Sequence, residues 1–249
     1  MISIIIATYN TEKQISILLE SLKKSSFKKF EICICDDCST DNTVKKIKSY
    51  ANYFNIKIVT NKKNEGVTYT RNKAAGLAKN NLLLFLDSDI KIYRNTISLL
   101  LKTREKTSAD IVQGIYSNIP LDKNIFSKYY AHFINHSFIN ITKTYIKDNV
   151  FNGWCTLCSR EAFSAVGGHK TIKKGIEIEN EMLGRKLVSR GYTIITDINI
   201  AVDHFWGGYK KLFFIFTKRI YWWIKIFFIT NFKFEKALTN KSYAIGTIN

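Results

Sequence analysis

The sequence predicts a doubly wound α/β fold, a mostly parallel sheet with helices on both faces. Two observations predict it. Apolar strand-like runs and helix-spaced segments alternate four times over the first 90 residues with short loops between them. Each apolar run also ends in a polar cluster, and ligands of such sheets bind outside the carboxyl ends of the strands.

The elements follow in order. Residues 2–7 are a continuous apolar run, the pattern of a buried parallel strand. The polar turn Ala7-Thr8-Tyr9-Asn10 comes next, then Ile15, Leu18, Leu19 and Leu22 at helical spacing, with Asn10 or Thr11 as N-cap. Residues 30–35 form a second strand. Asp36 to Asp41 is a loop capping a helix that carries Val44, Ile47 and Ala51. Residues 56–60 are a third strand, 61–66 a loop, 68–79 a helix and 82–86 a fourth buried strand ending at Asp87. In the second half, 126–146 reads as an aromatic helix, 176–190 as a charged helix and 192–197 as a strand.

The chain has 249 residues, enough for one α/β domain with a substantial core, and a formal net charge of +18. Such a charge attracts nucleic acid, anionic lipid or phosphorylated ligands. Its distribution narrows the choice. From Leu212 to Thr230 the basic stretch is too apolar for a solvated nucleic-acid groove, so no nucleic-acid partner is expected. Lys211, Lys218 and Lys225 recur every seven residues on one narrow helical stripe, and the rest of the circumference is aromatic or aliphatic. An amphipathic helix of that kind lies in a membrane interface, here an anionic one, with its lysines reaching the head groups. Packing of the same helix on the domain or on a partner subunit is the structural alternative. No apolar run is long enough for a transmembrane span. The N-terminus lacks a secretory pattern, and five cysteines fit a reduced, cytoplasmic protein.

Asp87-Ser88-Asp89 directly follows a buried strand. Carboxylates placed there suit Mg²⁺ or Mn²⁺, hard cations that favour carboxylate and phosphate oxygens. A solvated strand end is the plain alternative. Asp37 could accept a hydrogen bond from a uracil N–H and Tyr9 could stack on the base, while Asp36, Ser39 or Asp41 could simply make an Asx-type turn and helix cap. Arg71, at a loop–helix junction, could neutralise phosphate or pair with a loop aspartate. Cys35-x-x-Cys38 and Cys155-x-x-Cys158 have zinc spacing, but Cys33 and Cys35 alternate in a buried strand, where cysteine acts as a small hydrophobe. His132 and His136 have helical ligand spacing without a following Glu, which favours core packing or acceptor contact.

Together these residues resemble the family-2 glycosyltransferases of the Rossmann-like GT-A fold. The resemblance rests on Thr8-Tyr9-Asn10, Asp36-Asp37-Cys38-Ser39-Thr40-Asp41 (cysteine standing where glycine is usual), Asn64-Glu65-Gly66 with Thr70-Arg71-Asn72, and Asp87-Ser88-Asp89. It continues through Gly153, Arg160, Gly167-Gly168, the stretch Glu179 to Leu187 with Gly191-Tyr192, and Val202-Asp203-His204 with Trp206. It implies a metal-dependent, inverting transfer from a nucleotide-sugar, a UDP-sugar first and GDP- or dTDP-sugars next, to a glycan or lipid-linked acceptor. Thr8, Tyr9, Asp37, Arg71 and Asp87 would bind the donor. Asp89, Asp87 and His204 would hold Mg²⁺ or Mn²⁺, and Gly153 and Trp154 would face the acceptor.

One position departs from the pattern. The family's Glu-Asp pair supplies the catalytic base, and Asn180 stands at its second position. Glu179 is the replacement by register, with Glu181 and Glu177 as alternates. The implied organisation is a catalytic domain over 1–206, with a nucleotide-sugar half at 1–110 and an acceptor half at 111–206. A basic aromatic tail over 207–249 would hold the enzyme at the cytoplasmic face of the membrane. A non-catalytic nucleotide-sugar or membrane-binding module of the same fold is the second reading, kept alive by Asn180. A nucleotidyltransferase would need a glycine-rich loop after the first strand, which Ala7-Thr8-Tyr9-Asn10 does not provide.

Overall fold

The computed structural model describes residues 1–139, 141–170 and 179–209, together with Phe213, Thr217 and Tyr221. The stretch carrying Lys211, Lys218 and Lys225, and Glu177, lie outside the described residues.

Four strands, β1 (Ile2–Thr8), β2 (Phe30–Asp36), β3 (Ile56–Thr60) and β4 (Leu82–Asp87), pair in parallel in the order β3-β2-β1-β4. Helices α1 (Glu12–Lys24), α2 (Thr43–Lys48) and α3 (Val67–Gly76) connect them. α1 buries Ile15, Leu18, Leu19 and Leu22. Glu12 in its first turn and Lys23 and Lys24 in its last complement the helix dipole. Ile2, Ile4 and Ile6 point to this helix, whereas Ile5 points to the opposite core beside Ala74 of α3. The strand thus reads as all apolar because both its faces are covered.

The chain moves outward from β1 to β2 and β3, then returns to pair β4 on the other side of β1. The order reverses between β1 and β4, where a doubly wound sheet opens its ligand crevice. Ala7 aligns with Asp87 there, so the Thr8–Tyr9 turn and the Asp87–Asp89 segment follow neighbouring strands at that end of the sheet.

Beyond β4 the sheet becomes mixed rather than mostly parallel. β8 (Cys155–Ser159) runs antiparallel to β4 and to β6 (Ile111–Pro120), which pairs in parallel with β9 (Ile194–His204). β5 (Ile90–Ile92) and β7 (Tyr145–Asp148) both run antiparallel to β9. Helices α4 (Thr96–Thr107), α5 (Ile125–Ile139), α6 (Arg160–Ala165) and α7 (Glu179–Ser189) complete the described elements. α4 joins α1 on one face, and α6 and α7 join α3 on the other.

Several boundaries differ from the sequence expectation. The aromatic helix stops at Ile139, and Tyr145–Asp148, with its Tyr-Ile pair, joins the sheet as a strand. The strand expected at 192–197 continues to His204 because β5 and β6 offer it partners along that length. α2 ends at Lys48, leaving Ala51 exposed in a turn. His132 and His136 are exposed rather than packed in the core.

Candidate active site

The turn after β1 and the loop after β2 are laced together. Thr8 is buried, with its Oγ1 2.5 Å from Thr11 Oγ1. Asn10 Oδ1 accepts from the Thr40 amide at 2.8 Å, and the Asn10 amide donates to Ser39 Oγ at 2.9 Å. The Tyr9 ring is left outward and half exposed. Asp36 makes the Asx-type turn, accepting from the Ser39 amide at 3.0 Å and its hydroxyl at 2.5 Å.

Asp37 does something its sequence position did not announce. Its Oδ1 accepts from Asn61 Nδ2 at 2.8 Å and the Glu65 amide at 2.9 Å, and its Oδ2 accepts from the Gly66 amide at 2.9 Å. The buried carboxylate therefore organises the loop between β3 and α3. Asn61 in turn bonds Thr70 and receives Lys73 Nζ at 2.8 Å. Asn61 escaped the sequence reading, although it carries the signal that marked the others, a polar residue just past a strand's carboxyl end.

Arg71 is the hub. It projects from α3, is buried, and donates from Nη2 to Asp87 Oδ1 at 2.6 Å. Its Nη1 lies 3.5 Å from Asn180 Oδ1 at the start of α7. Burial alone would lower the guanidinium pKa. Asp87, and Glu179 further off, outweigh that and hold it above its ordinary value. The Glu179 charge is therefore felt at Arg71. Gly153 lies beneath the guanidinium, and a Cβ there would stand 2.6 Å from Arg71 Cζ. The register Leu86↔Cys155 puts that loop beside Asp87, whose amide donates to the Trp154 carbonyl at 3.3 Å.

The second acid is placed by different strands. β5 aligns Ile90 with His204, so Asp89 falls next to the end of β9. His204 Nε2 lies 3.4 Å from Asp89 Oδ1. Tyr116 of β6 stacks on Trp154 at 4.4 Å and packs against His204 at 4.6 Å and Trp206 at 5.1 Å. Tyr116 carried no sequence signal, because a single tyrosine in a strand marks nothing until the sheet assembles.

The donor set fits a hard divalent cation only in part. Adjacent ligands of an octahedral Mg²⁺ sit roughly 3 Å apart, so Asp89 Oδ1 and His204 Nε2 could share one with little movement. Asp87 Oδ1 is already taken by Arg71, which narrows the expectation that both aspartates ligate. Among the described residues no group of three or more His, Cys, Asp or Glu could hold a metal. Diphosphate oxygens would have to complete the shell.

Four of the five cysteines serve the core, while Cys38 stays half-buried in the loop after β2. Burial raises the thiols of Cys33 and Cys35 to about 11 and that of Cys155 to about 12. Glu181 is half-buried in the first turn of α7.

The profile of Glycosyl transferase family 2 matches residues 3–167. The poly(ribitol-phosphate) beta-N-acetylglucosaminyltransferase TarS of Staphylococcus aureus is 42% identical over 98 residues, 38% of this chain and 17% of TarS. The Escherichia coli UDP-Glc:alpha-D-GlcNAc-diphosphoundecaprenol beta-1,3-glucosyltransferase WfgD is 31% identical over 131 residues, 53% of this chain and 51% of WfgD. The chain thus spans at most about half the length of these relatives. Among solved structures, S. aureus TarS 1–349 in complex with UDP-GlcNAc superposes with a TM-score of 0.62 at 22% identity, covering 84% of this chain and 61% of that one. The Pyrobaculum calidifontis mannosyltransferase PcManGT, in complex with GDP-Man and Mn²⁺, gives 0.64 at 20% identity, covering 82% and 56%. These likenesses establish the GT-A fold. With the profile matching about two thirds of its residues, the chain belongs to glycosyl transferase family 2.

Proposed function

We propose that the chain is an inverting glycosyltransferase that moves a sugar from a UDP-sugar to a hydroxyl of a glycan or lipid-linked acceptor. The observation that carries this reading is an Arg71–Asp87 pair and an Asp89–His204 pair on one short segment after β4, beside the point where the strand order reverses. WfgD, named for a UDP-Glc donor and a diphosphoundecaprenol-linked acceptor, and TarS, named for a poly(ribitol-phosphate) acceptor and solved with UDP-GlcNAc, support it.

Residues 1–110 supply the donor side. Thr8 and the Asp37-ordered loop shape the nucleoside pocket, and Tyr9 offers an exposed ring for the base. Arg71 supplies a fixed positive charge beside the donor, pre-oriented by Asp87. Asp89 and His204 would hold Mg²⁺ or Mn²⁺, which when bound stabilises negative charge on the departing diphosphate.

Residues 111–206 supply the acceptor side, with Gly153 and Trp154 at its floor. Glu179 is the general base. It takes the acceptor hydroxyl proton as the oxygen attacks the anomeric carbon, and the bond from that carbon to the diphosphate breaks, releasing the nucleoside diphosphate. A base of this kind is worth roughly 10²–10⁴-fold. Asn180, whose amide oxygen faces Arg71, orients the guanidinium instead.

The basic aromatic tail over 207–249 and the lipid-linked acceptor of one relative support a peripheral position at the cytoplasmic membrane face. No helix among the described residues is long and apolar enough to cross a membrane.

Donor turnover tests the reading. Release of UDP from UDP-GlcNAc or UDP-Glc, with Mn²⁺ or Mg²⁺, is expected of the wild type and is expected to fall at least about 100-fold in Glu179→Gln. A smaller loss in Glu181→Gln would keep the base at Glu179. The second reading, a non-catalytic module, rests on Asn180, and it wins if UDP binds with metal but no donor is ever turned over.

A further inference from the structure

The site does not use the outer face of α5. At 100° per residue, Ile125, Phe126, Tyr129, His132, Phe133 and His136 share about a third of that helix's circumference. Ile125 is 72% exposed, Phe126 49% and Tyr129 64%. The opposite side, with Tyr130 and Ala131, is buried against Trp206. α5 contains no acidic residue, and Lys123 and Lys128 flank its exposed face.

The patch extends beyond the helix. The half-exposed Tyr209 ring lies 5.9 Å from that of Phe126. The buttress beneath is specific. The Asp122 carboxylate accepts from the amides of Trp206 and Gly207 at 2.9 Å each and from Ser127 Oγ at 2.5 Å. It ties the end of the folded sheet to the start of α5, so Tyr209 stands at the margin of this face and the basic aromatic stretch follows it in sequence. From residue 209 to 241 that stretch carries eight lysines and arginines against one acid, Glu235.

We infer that the exposed face of α5, with Tyr209, is a membrane-docking surface of the folded domain, fitted to an anionic bilayer. Exposed aliphatic and aromatic side chains beside lysines, with no acid among them, match the interface. The rings and Ile125 enter at head-group depth, and the lysine ammoniums meet lipid phosphates. A second copy of the chain is a poor occupant, because each copy brings a net charge of +18 to the contact. This gives the peripheral placement proposed above a second, folded contact, and it is independent of the donor chemistry.

The test is cosedimentation of the whole chain with vesicles of phosphatidylcholine alone and of an equimolar mixture with phosphatidylglycerol. The wild type is expected to pellet with the mixed vesicles. The triple variant Ile125→Ser, Phe126→Ser, Tyr129→Ser is expected to bind about tenfold less. Lys123→Glu with Lys128→Glu is expected to lower binding to anionic vesicles as well. Tyr53→Ser, removing an exposed aromatic outside this patch, should bind as the wild type does. All these residues are on the surface, and a UDP titration of each variant reports on the donor site separately. Wild-type chain that stays in the supernatant overturns the inference. So does a triple variant that pellets like the wild type, which assigns all binding to the tail. A concentration-dependent dimer abolished by the triple variant would assign the face to a second copy.

Discussion

Gly153 lies so close under the guanidinium of Arg71 that a methyl group has no space there. Gly153→Ala is therefore expected to push Arg71 away from Asp87 while leaving the fold intact. Displacement on the ångström scale in a transfer site costs about 100-fold in rate. The expected result is such a fall in donor turnover with a melting temperature within a degree or two of wild type, checked by a turnover assay beside a thermal melt. His169 makes a second prediction. It is buried against Phe85, Phe151 and Phe163. Burial, reinforced by the nearby Arg71, drives its pKa well below the ordinary 6.5. The folded chain refuses the proton that the unfolded chain accepts, so stability falls as pH drops below 6.5. The slope from this group is at most about 1.4 kcal/mol per pH unit. Denaturant titrations at pH 7 and pH 5 should show the loss, and His169→Phe should lessen it. At this scale the sequence disclosed identities better than partners. Asp87 and Asp89 were legible because each follows an apolar strand. That Arg71 answers one and His204 the other was not, since those pairs join residues 16 and 115 positions apart.

At the scale of elements, α7 is the part whose placement matters most. Its Gly184 faces the segment 149–151, and a Cβ there would overlap the Asn149 carbonyl. The helix can lie that close only because the side chain is missing, and the close approach sets Asn180 beside Arg71, with Glu179 further off. Gly184→Ala is expected to cost about 1–3 kcal/mol in stability. It should also lower turnover by lifting α7 off the loop that carries Gly153. A melt lowered by several degrees together with lost turnover would support this coupling, and an unchanged melt would contradict it. The four parallel strands were legible, because strands covered on both faces are apolar throughout. β5 was not, being only three residues long, and neither was β7, whose residues continue an aromatic stretch that looks helical. β6 and β8 alternate between polar and apolar residues too irregularly to declare themselves, since Gln113 and Thr156 are buried inside a polar network that also holds Asp148.

At the scale of the whole molecule, the described residues form one sheet whose parallel and mixed halves join at the β4–β8 pairing. In the proposed function the parallel half brings Thr8, Asp37, Arg71 and Asp87 to the donor, and the mixed half brings Trp154, Glu179 and His204. That union was legible only through the resemblance to a family, because nothing in the local pattern says that β9 returns to sit beside β5. The central claim, that these halves form a metal-assisted nucleotide-sugar site, is tested most directly by calorimetric titration of UDP into the whole chain with and without Mn²⁺. The account predicts saturable binding that strengthens with Mn²⁺ in the wild type, and loss of that metal-dependent gain in Asp89→Asn while metal-free binding persists. UDP binding that is absent, or that Mn²⁺ strengthens equally in wild type and Asp89→Asn, would contradict it.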